Sequence, residues 1–380
     1  MVVYLDCAAT APVDSRVSKE VIKYTDYEFG NAGSRSHDFG NRAKSAVEKA
    51  RSKVAKVVNA NRGEIIFTSG ATESNNLAIL GLSDYGLKIG KNHIISTRIE
   101  HKSVLESLDI LTNRGFKVTL LTPNSGGWIE PKTVINALQD NTLLVSVMQV
   151  NNETGVIQPI KAIASLLKQH GTYFHVDAAQ GFGKEIKEIT EKRIDMISLS
   201  GHKIYGPKGI GALVIRRRDG KRPPLVPLMY GGGQELGLRP GTLPVPLIVG
   251  LGKAAELSIK EALERNMQSL RFKKMGLNRL SVLNPVFNGD LEKTVPQMIN
   301  ITFPGILADE AMEALNEIVA ISNGSACTST SDSCSHVLGS MGISQTQSLG
   351  ALRLSWCHLT KHPDWDSFIE VIKKLQTEVH

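Results

Sequence analysis

Seven short apolar runs limit what this chain can fold into: EIIFTS (64–69), HIIST (93–97), KVTLL (117–121), LLVSVMQV (143–150), YFHV (173–176), MISL (196–199) and GALVI (211–215). Several are β-branched and lack polar alternation, the pattern of parallel strands covered on both faces. Longer mixed segments separate them, and residues 72–82 behind the first run have helical spacing. The expected class is therefore α/β, a mostly parallel seven-stranded sheet sandwiched by helices. Pro and Gly crowd residues 220–246, which reads as an irregular connection. A long helix is expected near 250–280 and a last one near 364–378. From about residue 260 the chain reads as a smaller α/β unit. Its strand QMINITF (297–303) alternates, and should leave one face to solvent.

With 380 residues, 41% hydrophobic and 21% charged, the chain has room for two domains and a large core. No run approaches the ~18 consecutive apolar residues that cross a bilayer. The opening MVVYLD lacks the basic start and apolar stretch of a signal peptide. A cytoplasmic protein with no membrane role is expected. The four cysteines, Cys7, Cys327, Cys334 and Cys357, form no CxxC pair, so neither a disulfide framework nor a protein-bound metal is expected. The formal charge of +7 is scattered. Its densest cluster, RRRDGKR (216–222), reads as a solvated loop rather than a nucleic-acid patch.

Three motifs carry chemistry. In SGATESNN (69–76) a strand runs into a helix through small residues, so backbone N–H groups and the Thr72 hydroxyl can approach an anion at the helix N-terminus; taken alone, the same residues serve as a plain helix cap. In YFHVDAAQ (173–180) a buried strand ends in Asp177, where ligands of open α/β sheets gather and a carboxylate can pair with a protonated ring nitrogen; a cap is again the plainer alternative. In SLSGHKIYGPKGIG (198–211), Lys203 follows an apolar strand among turn-forming residues. A lysine so placed can act as an amine nucleophile and form a Schiff base, although most lysines in turns are simply solvated. Lys203 stands 26 positions after Asp177, a spacing that fits one helical crossover between neighbouring strands and brings carboxylate and amine to one sheet edge. A phosphate cup, an acid for a pyridine nitrogen and a lysine amine are together what pyridoxal 5'-phosphate (PLP) requires.

The segments SGATESNNLAI, EHKSVL, VNNETGVIQPI, HVDAAQ, SGHKIYGPKGIGAL, RPGTLPV and NGSACTS occur in the order seen in the class V aminotransferase family, and most closely resemble NifS/IscS-like group I cysteine desulfurases. The likeness runs from Tyr4 to about Ser355. It implies the PLP-dependent transferase fold type I, with a large PLP-binding domain (14–259) and a small domain (1–13 and 260–380) carrying a catalytic cysteine loop at about 322–336. It implies that Lys203 carries the cofactor, Asp177 pairs with its ring nitrogen, and Gln180 bonds its ring oxygen with Asn152 nearby. His101 would stack on the ring and move protons. Ala71, Thr72, Ser200 and His202 would hold the phosphate, joined by Thr242 from the second subunit of a homodimer. Arg353, Asn31 and Asn152 would hold the substrate, L-cysteine. Read without the resemblance, His101 is a core histidine and Arg353 one half of an ion pair.

Cys327 lies among small polar residues in SNGSACTSTS (322–331), a setting in which a thiol can be exposed and ionise. The resemblance makes it the acceptor of substrate sulfur, with alanine as co-product. Cys334, seven residues on, could pair with it or relay sulfur, although a bystander is the plainer reading. Cys7 and Cys357 receive no role. The stretch GNAGSRSH, the segment after Cys327, Trp356 after Ser355 and the short C-terminal tail depart from the housekeeping pattern, and the first and last of these resemble desulfurases of DNA phosphorothioation systems. Such an enzyme hands sulfur to an acceptor protein, for iron–sulfur assembly, tRNA thiolation or phosphorothioation, and binds no nucleic acid itself. Competing readings are a class V aminotransferase, a selenocysteine lyase, or a non-enzymatic sulfur-trafficking scaffold.

Overall fold

The computed structural model describes residues 2–324 and 334–378. All seven apolar runs are strands of one sheet, in spatial order Ile65–Thr68, Gly211–Ile215, Met196–Ser200, Tyr173–Asp177, Thr142–Met148, His93–Thr97 and Lys117–Leu121. The last five pair in parallel, whereas Gly211–Ile215 runs antiparallel to both its neighbours. Every residue of the inner strands except Tyr173 is buried, as runs without polar alternation require. Helices Ser15–Asp26, Asp38–Val57 and Val245–Lys260 close one layer, with the small residues Ala43, Ala50 and Ala254 at their seams. Ala71–Leu80 and Lys102–Asn113 pack in another around Leu77, Val104 and Leu108.

A second apolar core joins Leu5 to Phe272, Phe303, Leu354, Trp356 and Phe368. It lines a three-stranded antiparallel sheet ordered Ala351–Ser355, Met298–Thr302, Val286–Phe287. The N-terminal strand Val3–Tyr4 pairs in parallel with Val319–Ala320. The first residues therefore fold with the last third of the chain.

Four expectations are corrected. The strand Met298–Thr302 has no solvated face. Its polar residues are bonded internally, Asn300 to the Glu153 carbonyl (3.1 Å) and both Asn300 and Thr302 to the Asn288 amide (2.7 and 2.9 Å). The long helix is two, Val245–Lys260 and Ala262–Leu280, broken where Glu261 turns to receive Arg265 (2.8 Å) and Arg16 (2.9 Å). The crossover from Asp177 to the next strand contains turns and no helix. Finally, Arg216 is buried rather than solvated: its guanidinium caps the carbonyls of Val58, Ile189, Glu191 and Ile194, and burial pulls its pKa down to about 10.

Candidate active site

In an open α/β sheet the strand ends expose backbone and side chains to a crevice. Here the ends of Ile65–Thr68, His93–Thr97, Thr142–Met148, Tyr173–Asp177 and Met196–Ser200 open onto one cavity of about 720 Å³, a volume suited to a cofactor-sized ligand. Asp177, Lys203, His101, Gln180, Asn152 and Arg353 all line it, as do Ala71, Thr72, Ser200 and His202. Ten of the residues singled out from the sequence thus meet at one place.

Lys203 ends a short 3₁₀ turn, Gly201–Lys203, directly behind the strand Met196–Ser200. Tyr205, two residues on, has φ = 66°. For a non-glycine residue this left-handed backbone is strained, and it is held here by burial of the ring and by its edge contact with His358 (4.6 Å between centroids). The Lys203 amine donates to the carbonyls of Ala8 and Ala9 (2.8 Å to the latter), so the N-terminal segment forms one wall of the site. Gln180 donates to the same Ala8 carbonyl (2.9 Å).

Asp177 is buried, its two oxygens taking the Asn75 amide (2.7 Å) and the Ala179 N–H (2.9 Å). His101 caps the helix Lys102–Asn113, its Nδ1 accepting the Ser103 N–H (3.1 Å). His202 bonds Thr10 (3.1 Å); burial, with Lys203 and Lys208 nearby, holds its pKa down at about 4, so its ring is neutral at pH 7. At the start of Ala71–Leu80, Gly211 permits a close approach: a Cβ there would lie 2.6 Å from the Gly70 Cα. Arg353 is buried and clamped by Asp6 (2.7 Å), the Ser322 hydroxyl (2.9 Å) and the Asn152 carbonyl (2.9 Å). Its Nε and the Asn152 Oδ1 are buried without hydrogen-bond partners among the described residues. Orphaned polar atoms of this kind on a cavity wall suit a polar ligand.

Two expected residues lie elsewhere. Asn31 is exposed and accepts the Gly33 N–H (2.8 Å), and it does not line the cavity. Thr242 is exposed and likewise outside it. Cys327 lies outside the described residues. On either side of that segment, the Gly324 carbonyl accepts from Arg353 (3.4 Å) and the Ser335 hydroxyl donates to buried Glu153. Among the described residues no group of His, Cys, Asp and Glu side chains could hold a metal.

Sequence reasoning missed Asp6, Asn75, Ser103, Glu100 and the carbonyls of Ala8 and Ala9. Asn75 and Ser103 stood inside recognised segments, whereas a carbonyl acceptor leaves no signal in a residue type. Glu100 is fully buried, accepting the Met148 N–H (2.9 Å) and the Thr97 hydroxyl (2.7 Å). Burial pushes its carboxyl up to about 8, and the Asp177 carboxylate adds to the rise. The folded state therefore keeps a proton that the unfolded chain releases, giving stability that is full at low pH and is lost as pH rises through 8. Glu100→Gln should gain on the parent in thermal midpoint between about pH 5 and pH 8, then level off. Unfolding curves recorded across that range check this, and a constant gap would contradict it.

The strand ends of this sheet thus gather a lysine amine, a buried carboxylate and a buried guanidinium around one cavity. The aminotransferase class-V family matches residues 3–368. A cysteine desulfurase IscS of Rickettsia felis is 46% identical over 97% of this chain and 90% of its own length. The solved structure of DndA from Streptomyces lividans is 48% identical, covering 93% of this chain and 99% of that one, with a TM-score of 0.82. A NifS-like protein superposes with a TM-score of 0.89 at 34% identity, covering 100% and 99%. The chain belongs to the class-V aminotransferase family and, within it, to the cysteine desulfurases.

Proposed function

We propose that this protein is a PLP-dependent enzyme that takes sulfur from L-cysteine, releases L-alanine and passes the sulfur on from a Cys327 persulfide. The carrying observation is the convergence of Lys203, Asp177, His101 and Arg353 on one cavity. The orphaned Asn152 Oδ1 and Arg353 Nε, and a helix N-terminus free of bulk at Gly70, suit a phosphorylated heteroaromatic cofactor and an amino-acid carboxylate.

In this reading Lys203 would hold PLP, Asp177 would serve its ring nitrogen, and Gln180 and Asn152 its ring oxygen. Ala71, Thr72, Ser200 and His202 would hold its phosphate, with Thr242 of a second subunit, and His101 would serve its ring. PLP, when bound, supplies an electron sink for charge developing at the substrate α-carbon. Arg353 binds the substrate carboxylate, and Asp6 and Ser322 fix the plane of its guanidinium. Asn31 would assist from outside the cavity wall once substrate is present. The Lys203 amine moves the α-proton. The Cys327 thiolate then attacks the substrate sulfur; the substrate C–S bond breaks, an S–S bond forms, and a proton completes alanine. Gly324, the last described residue before Cys327, accepts from Arg353 through its carbonyl.

Residues 14–259 would form the large domain and 1–13 with 260–380 the small one, in keeping with the two apolar cores. A cytoplasmic homodimer that delivers sulfur to an acceptor protein, without nucleic-acid contact, completes the reading. Likeness to DndA favours DNA phosphorothioation as the destination. Among the described residues no helix is long and apolar enough to cross a membrane. Purified protein given L-cysteine and a thiol reductant should form alanine and sulfide in equal amounts without any keto acid. Dependence on a keto acid would favour an aminotransferase instead.

A further inference from the structure

Beyond the residues that touch the cofactor in this reading, the structure holds a hydrogen-bonded bridge between two of them. Asn75 is fully buried, and its Nδ2 donates both hydrogens, one to Asp177 Oδ2 (2.7 Å) and one to the Ser103 hydroxyl (2.9 Å). An ionised carboxylate only accepts, so this contact fixes which end of the amide faces Asp177. Because the Ser103 oxygen accepts from Asn75, its own hydrogen is available to His101 Nδ1, 2.9 Å away. The Ser103 backbone N–H reaches the same nitrogen (3.1 Å). A backbone N–H cannot reverse its role, so Nδ1 must carry a lone pair, and the neutral ring carries its proton on Nε2.

We propose that Asn75 and Ser103 act as paired positioning residues: one buried amide orients the Asp177 carboxylate directly and, through the Ser103 hydroxyl, gives a second donor to the His101 Nδ1 that the Ser103 backbone N–H already holds as an acceptor. The pair rests on the PLP reading for its purpose but not for its geometry. A structural filler would satisfy its own polar atoms, yet Asn75 leaves its Oδ1 buried without a partner among the described residues. That arrangement costs stability, and both bonds it does make lead to groups lining the cavity. Asp177 and His101 come from different strand ends, so without the bridge each could turn independently. With it, a turn of either group breaks a bond of the chain that joins them.

Two readouts test this. The first is ¹⁵N NMR of histidine-labelled protein, recorded with and without PLP, which reports the tautomer directly. Wild type should show a pyridine-type Nδ1 and a pyrrole-type Nε2 for His101. Ser103→Ala, which keeps the backbone N–H and loses the hydroxyl, should keep this tautomer but shift the Nδ1 resonance to that of a weaker hydrogen bond, and Ser103→Thr, which keeps the hydroxyl, should restore the wild-type shift. The second is PLP affinity by visible absorbance. Asn75→Ala should bind PLP about tenfold more weakly, the loss expected for one hydrogen bond to a charged group. Ser103→Ala added to it should weaken binding by no more than about twofold further, because the pair acts as a unit. A wild-type Nδ1 shift and affinity in Ser103→Ala, or multiplying losses in the double variant, would overturn the proposal. If Asn75→Ala does not fold, the Ser103→Ala and Ser103→Thr comparison carries the test alone, since Ser103 lies in the first turn of a helix. Absence of any PLP band in wild type would instead sink the cofactor reading, leaving the Nδ1 shift to decide the bridge.

Discussion

Lys203→Ala protein, reconstituted with PLP, is expected to lose the visible absorbance of the bound cofactor and to form alanine from cysteine at least ~10³-fold more slowly. The expectation rests on placement. The amine is delivered to the cavity by a short turn at the end of a buried strand, next to a strained residue at 205. It is held there by two carbonyls of the N-terminal segment, Ala8 and Ala9. A lysine held at a strand end opposite a buried carboxylate can do two things in turn, bonding the cofactor and then moving a proton. Lys208 also lines the cavity and serves as the control. Lys208→Ala should keep the visible band; loss of the band there and its retention in Lys203→Ala would reassign the role.

Cys327→Ser should behave in the opposite way. Its visible absorbance should match the parent, because nothing in the cofactor's proposed contacts includes the thiol. Sulfide release with a reductant should fall by ~10³-fold or more, since a hydroxyl is a far weaker nucleophile toward sulfur and cannot hold the transferred atom. Cys334→Ser made alongside separates relay from bystander. Unchanged sulfide release in Cys334→Ser leaves it a bystander, whereas a loss comparable to that of Cys327→Ser would make it part of the transfer route. Parent-like turnover in Cys327→Ser would remove Cys327 from the mechanism.

The sheet was legible because its strands are buried on both faces, and continuous apolar runs such as MISLS have few other stable homes. The cavity was legible because the chemistry sits at strand ends, where Asp177 and Lys203 follow their apolar runs directly. Harder to see were features made by long-range contact. Arg216 stood in a run of basic residues that read as solvated, yet it alone turns inward to four carbonyls. Alternation in QMINITF signalled a polar face but not what would cover it, and Asn288 and Glu153 cover it. The partnership of Asp6 with Arg353 spans almost the whole chain, and it follows from the N-terminal segment pairing beside Ser355. The Asn75–Ser103 bridge depended on two helices meeting over Asp177, a register that neither segment displays by itself.

The sulfur's resting place on the protein tests the central claim most directly. Purified holoprotein treated with one equivalent of L-cysteine, then alkylated and digested, should show a single added sulfur on the peptide containing Cys327, matched by an equal amount of alanine. A modified peptide containing Cys7 or Cys357 instead, or alanine formed with no sulfur retained on any cysteine, would contradict it.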